Sequence, residues 1–387
     1  MNAGAPPDFC QAWDPPHNAS VTHSAGQIER IVKQSASEAG FDLAGIAPAR
    51  LRDSRELRFF SDWIAGGRAG EMAYLESRSS EGRLKRAALE HVAPWARSVV
   101  VCALNYNTAH PYSTECRDPE RGWISRYAWG NADYHEVVMQ RLRRVEARLR
   151  EEADDPALET RCYVDTGPVV ERVFAAYAGV GWIAKNTCLI NQKIGSWLFL
   201  GVILTSLELR PDLPAADRCG SCTRCLEACP TNAFIAAREL DATRCISYLT
   251  IEKRGAIPDE LRPGMGNHVF GCDICQDVCP WNRKAPASSA NEFQPQRERF
   301  HPALAWLANL SEEEFRAAFR GSPVRRAKRS GLRRNAVVAM GNSGRRSLLP
   351  LLRRLARDPD SDIASHAEWA VRRLEDATVP GSSNRAR

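Results

Sequence analysis

The chain has 387 residues, 44% of them apolar and 26% charged, with 25 Gly, 23 Pro and a formal net charge of +6. That length and apolar share support two or three packed domains and exclude a disordered, collagen-like or coiled-coil protein. No run approaches the roughly 20 apolar residues of a membrane span, and residues 1–26 lack the basic and apolar regions of an export signal, so the expectation is a cytoplasmic protein, not bound to membrane, with a disordered leader over 1–26.

Gln27 to Ala39 sets Ile28, Ile31, Val32 and Ser35 on one face at helical spacing, and Gly40 follows as a natural stop. Phe41 to Ala47 alternates as a short strand. Leu51 to Ala65 returns to helical spacing, and Ser98 to Leu104 is a continuous apolar run, as in a strand covered on both faces. Tyr134 to Glu152 repeats Val138, Leu142, Val145 and Leu149 on one helical face, Thr160 to Asp165 reads as a strand, and Pro168 marks the first turn of another helix. Two β-rich runs, Thr187 to Asn191 and Ser196 to Leu207, flank a turn with Gly195 and predict a hairpin closing the sheet. Alternating helix and strand predicts an α/β or α+β domain over 27–212.

A cysteine-rich module follows over 213–284. The polar, Pro-containing stretch Ala285 to Arg299 reads as a linker opening a helical domain over 285–387. There Asn335 to Gly341 and His366 to Arg372 align at an offset of 31 residues, which suits stacked helical pairs of the HEAT kind. From Arg316 onward 17 Lys and Arg face 6 Asp and Glu, so the basic charge belongs to this end and the remainder is net acidic. The cations at 325, 326, 328, 329, 333 and 334 form a density suited to RNA phosphates, although such helices also serve as solvated faces.

Eight of the thirteen cysteines lie between Cys219 and Cys279. Cys219, Cys222, Cys225 and Cys229 with Pro230 form the C-x₂-C-x₂-C-x₃-C-P run of bacterial ferredoxins, and Cys272, Cys275 and Cys279 with Pro280 repeat its last three ligands. In such pairs the final cysteine of each run serves the other cluster. Cys219, Cys222, Cys225 and Cys279 then hold one [4Fe–4S] cluster. Cys229, Cys272 and Cys275 need a fourth ligand, for which Cys245 is the nearby candidate. Two Cys₄ zinc sites are the alternative, but zinc does not require the x₃-C-P ending.

Several longer segments carry a resemblance: Gly70-Glu-Met, Ser125 to Gly130 with Asp133-Tyr-His, Tyr163 to Pro168, Gly179 to Thr187, Cys245 to Glu252, and Gly271 to Arg283. Together they resemble the epoxyqueuosine reductases, cobalamin-dependent iron–sulfur enzymes of tRNA modification, from about Gln27 to Leu374. Two departures stand out: Ala184-Lys185 where the family has Gly-Lys, and one extra residue between Gly130 and Asp133.

The resemblance implies a first domain binding base-off cobalamin, two [4Fe–4S] clusters beside it, and a helical tail on tRNA. The implied reaction reduces the epoxide of epoxyqueuosine in the wobble nucleoside to the alkene of queuosine, with electrons from an unidentified low-potential donor and the protein acting as a monomer. Asp165 matches the family's proton donor, and donation at neutral pH calls for a raised pKa from burial; a turn or cap residue is the plainer role for it. Lys185 and Arg86 are expected to touch cobalamin. Arg126, Tyr127, Tyr134 and His135 are expected to line the nucleoside or cofactor pocket, or to cap the following helix. A cobalamin-dependent reductive dehalogenase and a ferredoxin-type electron carrier are the competing readings, and a flavin is the competing cofactor.

Overall fold

The structure, a computed structural model, describes residues 26–51 and 54–376; the leader expected over 1–26 lies outside them except for Gly26. Four strands form the main sheet in the order Leu43–Pro48, Ser98–Asn105, Leu198–Thr205, Thr160–Tyr163. Leu43 pairs with Ala103, Ser98 with Thr205 and Thr160 with Thr205, and all three pairings are antiparallel. This corrects the α/β half of the expectation: an antiparallel sheet with helices makes the domain α+β.

Every residue of Ser98–Asn105 is buried because both faces of the sheet are covered. Helices Gln27–Glu38 and Tyr134–Ala153 pack on one face through Val32, Val138, Leu142 and Val145. Helix Glu171–Tyr177 covers the other through Phe174 and Ala175. Two glycines permit these approaches. A Cβ on Gly45 would sit 2.1 Å from the Ala178 carbonyl oxygen, and one on Gly201 would sit 2.6 Å from Leu142.

Two local expectations change. The Ser196–Leu207 run does not close the sheet as half of a hairpin; its strand lies in the middle, while Leu189–Ile190 pairs with Trp182–Ile183 outside the sheet. The helix expected at Pro168 begins at Glu171, because Val170 has non-helical dihedrals (φ −97°, ψ 80°).

The boundaries expected near 212 and 284 are not gaps in packing. One hydrophobic core joins Trp123, Ile124 and Trp129 to Ile246, Leu249 and Phe270 and to Leu332, Ala336, Met340 and Trp369. His268–Phe270 pairs in parallel with Trp123–Ile124. The stretch from Ala285 to Arg299 is a strap rather than a free linker: Asn105 and Asn107 donate to the Pro286 and Ala285 carbonyls, Phe293 is buried, and buried Arg299 donates to the Gly130 and Arg320 carbonyls.

The C-terminal part is helical: Leu304–Asn309, Glu312–Ala318, Lys328–Asn342, Leu349–Leu355 and Ser361–Asp376. The two segments related by 31 residues lie on Lys328–Asn342 and Ser361–Asp376, where Gly341 faces Trp369 and Ala370 so closely that a Cβ would meet them at 2.7–2.9 Å. Buried His366 accepts from the Ile257 amide at 3.1 Å, tying this part to the cysteine module.

Candidate active site and cluster sites

The cysteine motifs fold as short turns. Cys219, Cys222, Cys225 and Cys279 line one cavity with Lys185 and Trp281. Cys229 acts electrostatically on Cys245 and on Cys272, and Cys275 is acted on by Cys272 and Cys245. The chain thus crosses over, bringing Cys279 to the first run and Cys229 to the second. The two sets differ in depth: Cys245 and Cys272 have thiols pushed up by burial, and Cys275 by its hydrogen bond with Cys188 and then by burial, whereas the loop from Cys219 to Cys225 lies near solvent, with Arg218, Gly220 and Arg224 exposed. All twelve cysteines among the described residues are free thiols.

Lys185 stands at the edge of that cavity. Its Nζ donates to the Gly220 carbonyl at 2.7 Å and the Cys222 carbonyl at 3.0 Å, bracing the outer cysteine loop. Its neighbour Asn186 donates to the Cys275 carbonyl at 3.1 Å, so one short segment touches both cysteine sets. Cys188, outside the cysteine runs, shares a hydrogen bond with Cys275. Nothing in the spacing of the motifs points to it.

Asp165 sits just beyond the edge strand in a left-handed conformation (φ 57°). Tyr134 Oη donates to its Oδ2 at 2.8 Å, and His135 Nε2 lies 3.5 Å from the same oxygen. His135 is fixed by Asp133, which caps helix Tyr134–Ala153 through the His135 amide at 3.0 Å and receives His135 Nδ1 at 2.7 Å. Tyr134 is held flat against Phe199, with ring centroids 4.3 Å apart.

The electrostatics reverse one expectation. The Asp165 carboxyl is held down at about 2, chiefly by His135, with burial opposing and Tyr134 assisting. Its side chain is 60% exposed, so the two donors outweigh desolvation. Burial disfavours charge on His135, but Asp133 and Asp165 outweigh it and hold its pKa up to about 9. At neutral pH this pair carries its proton on the imidazole.

Tyr127 is pushed up by burial and packs on Tyr134 and Phe270, both at 5.9 Å between centroids. Phe270 stands two residues before Cys272, so aromatic packing connects the Asp165 recess to the inner cysteine set. Arg126 is corrected: it is 1% exposed, lies over the rings of Tyr112, Trp129 and Trp197 at 4.8–5.4 Å, and donates to the carbonyls of Thr108, His110 and Pro111. It supports the chain between strand and site.

Arg86 donates to the Tyr74 carbonyl at 2.9 Å and to the Gly167 carbonyl, two residues past Asp165, at 2.6 Å. Tyr74 is 44% exposed and carries both Arg86 and Arg326 against its ring, at 5.7 and 5.1 Å. Arg326 also pairs with Glu252 at 2.5 Å and acts on Asp165. The recess is therefore built from the first domain, the cysteine module and the helical part together. Tyr74 carries no sequence signal that separates it from an ordinary surface residue, whereas Glu252 ends one of the segments that carry the resemblance.

Residues 86–166 match the family model described as "Epoxyqueuosine reductase QueG, DUF1730", and residues 218–282 match the "4Fe-4S double cluster binding domain". The chain is 40% identical to an epoxyqueuosine reductase of Pseudomonas aeruginosa over 353 residues, covering 90% of this chain and 94% of that protein. It is 43% identical to one of Synechocystis over 295 residues, covering 76% and 98%. A crystal structure of epoxyqueuosine reductase with an epoxyqueuosine-modified tRNA-Tyr stem loop superposes with a TM-score of 0.79 at 34% identity, covering 90% of each chain. The Bacillus subtilis enzyme, with its catalytic loop swung out of the active site, gives 0.78 at 32% with the same coverage.

Proposed function

The chain belongs to the epoxyqueuosine reductase family, and on that premise we propose how its residues reduce epoxyqueuosine to queuosine in tRNA. The observation that carries the proposal is the position of Asp165, an exposed carboxylate bound by Tyr134 and His135 in a recess backed by the inner cysteine set. Loss of the epoxide oxygen as water needs two electrons and two protons. Cys219, Cys222, Cys225 and Cys279 would hold one [4Fe–4S] cluster and Cys229, Cys245, Cys272 and Cys275 the other, and the two clusters would supply electrons singly from a low-potential donor.

Asp165 delivers the proton to the epoxide oxygen. Because the free site holds that proton on His135, the acid is the Asp165–His135 pair, and the proton crosses to the carboxyl as substrate excludes water from the recess. Tyr134 orients the carboxyl throughout. Cobalamin, base-off as the resemblance implies, is the group we assign beside Asp165. The Asp165 carboxylate and the Tyr74 ring are both exposed at the recess, which fits a broad ring with polar amides at its rim. Bound there, cobalamin supplies a strongly nucleophilic low-potential centre. Tyr74, Arg86 and Arg326 border the recess on the side where the helical part meets it, and we assign them contact with the tRNA or the cofactor rim. Among the described residues no helix is long and apolar enough to cross a membrane, and we place the protein in the cytoplasm as a monomer.

Iron analysis tests the electron path. Anaerobic protein should hold about eight iron per chain, and Cys245→Ala should lose roughly half while keeping an outer cluster. Stoichiometric zinc in place of iron would overturn this assignment.

A further inference from the structure

Two protons must reach the departing oxygen, and one carboxyl gives one. As both C–O bonds of the epoxide break and the C=C bond forms, two electrons come from the iron–sulfur module and the oxygen leaves as water. Tyr134 and His135 favour ionised Asp165, so after the first transfer the carboxylate has to be reloaded.

Glu171 lies six residues beyond Asp165, at the start of helix Glu171–Tyr177. Its Oε1 is shut off from solvent and has no hydrogen-bond partner. An acid at a helix start normally stays ionised in solvent, where the helix end favours it. Here the charged groups facing it are Asp165, Arg172 and Arg86. Arg86 directs both hydrogen-bonding nitrogens to the Tyr74 and Gly167 carbonyls rather than to this carboxyl. Arg172 donates to the Thr187 carbonyl at 2.7 Å. The buried oxygen is thus left without a hydrogen-bonded counter-ion, within the field of the Asp165 carboxylate, whose charge opposes its own.

We propose that Glu171 is the second proton source of the site, a buried carboxylic acid that reloads Asp165 between the two proton transfers. Burial first, then the Asp165 charge, push its pKa up to about 7, against its own amide, Arg172 and Arg86. It is therefore half loaded near neutrality and empties as pH rises. Each turnover draws one proton from His135 and one from Glu171, both passed through Asp165 to the departing oxygen, and both groups regain theirs from solvent after water leaves. Glu171 acts through Asp165 and so is a positioning and supply residue. The inference rests on the acid role proposed for Asp165.

Glu171→Gln preserves shape and removes the proton. In the loaded enzyme it should lower the rate of queuosine formation on the order of 10²-fold, leave stem-loop affinity and iron content unchanged, and abolish the fall in rate above about pH 7. Glu171→Asp should restore part of the rate and the pH limb. A purely structural role would leave the limb in place. Independently of substrate, the infrared carbonyl band of a protonated carboxyl should titrate near pH 7 in the wild type and be missing from Glu171→Gln. Wild-type rate and pH profile in Glu171→Gln, or the absence of that band, would overturn the proposal. Failure of the wild type to convert epoxyqueuosine, with the band present, would overturn the functional reading instead.

Discussion

The recess around Asp165 and the stretch from Arg325 to Arg334 are both dense in charge, but they use it in opposite ways. Around Asp165 the charges stay where a ligand can reach them: the carboxylate is 60% exposed and Tyr74 lies open between two guanidinium groups. In the cationic stretch half of the charges turn inward or pair within the protein. Arg334, 3% exposed, donates to the Leu249, Lys253 and Gly255 carbonyls; Arg333 pairs with Asp358 at 2.6 Å; Arg329 pairs with Glu312 at 3.2 Å. Arg325 and Lys328 remain exposed, and Arg326 reaches the recess instead. Charge density therefore marks a binding surface only where partners inside the protein are missing. The expectation that this whole run meets tRNA phosphates narrows to Arg325 and Lys328, with Arg326 at the site.

The largest effect that would sharpen this contrast is on stability. Arg334→Met removes a buried guanidinium and strips three carbonyls, that of buried Leu249 among them, of their donor, and should cost about 2–4 kcal/mol by chemical denaturation; a loss under about 0.5 kcal/mol would return Arg334 to a surface role.

A middle-sized effect is expected at His135, whose folded pKa of about 9 exceeds its ordinary 6.5. The stability it contributes is complete below pH 6.5 and disappears as pH rises through 9. Between those limits the wild type should lose roughly 2 kcal/mol, allowing for solvent screening, and His135→Asn should show no such slope. An unchanged slope in the variant would place the proton elsewhere.

The smallest effect separates the exposed cations from the rest. Arg325→Glu with Lys328→Glu should weaken stem-loop binding and flatten its salt dependence by about 0.7 in log–log slope per lost contact, with the iron–sulfur spectra unaltered. Affinity equal to wild type would remove this face from the tRNA surface.

What the sequence makes legible follows range of interaction. The cysteine runs declare themselves because cluster ligands sit two or three residues apart, and even the exchange of Cys229 and Cys279 follows from the Pro after each. The helices at Gln27 and Tyr134 and the buried Ser98–Asn105 strand follow from periodicity. Strand direction does not: Ser98 and Thr205 pair across more than a hundred residues, and an apolar run looks the same in either orientation. Arg126 looks like a site residue until three aromatic rings and three carbonyls surround it. Asp165 is legible by kind but not by charge, because the groups that ionise it stand about thirty residues earlier. Cys188 and Glu171 gain meaning only from what folding places beside them.

The central claim is that Asp165 supplies the proton for epoxide reduction. It is tested most directly by mass spectrometry of an epoxyqueuosine-modified stem loop after incubation with cobalamin-loaded, chemically reduced enzyme, comparing wild type with Asp165→Asn at equal iron content and equal stem-loop occupancy. The account predicts conversion by the wild type and a rate on the order of 10²–10⁴-fold lower for the variant. Conversion by Asp165→Asn at a rate close to wild type would contradict it.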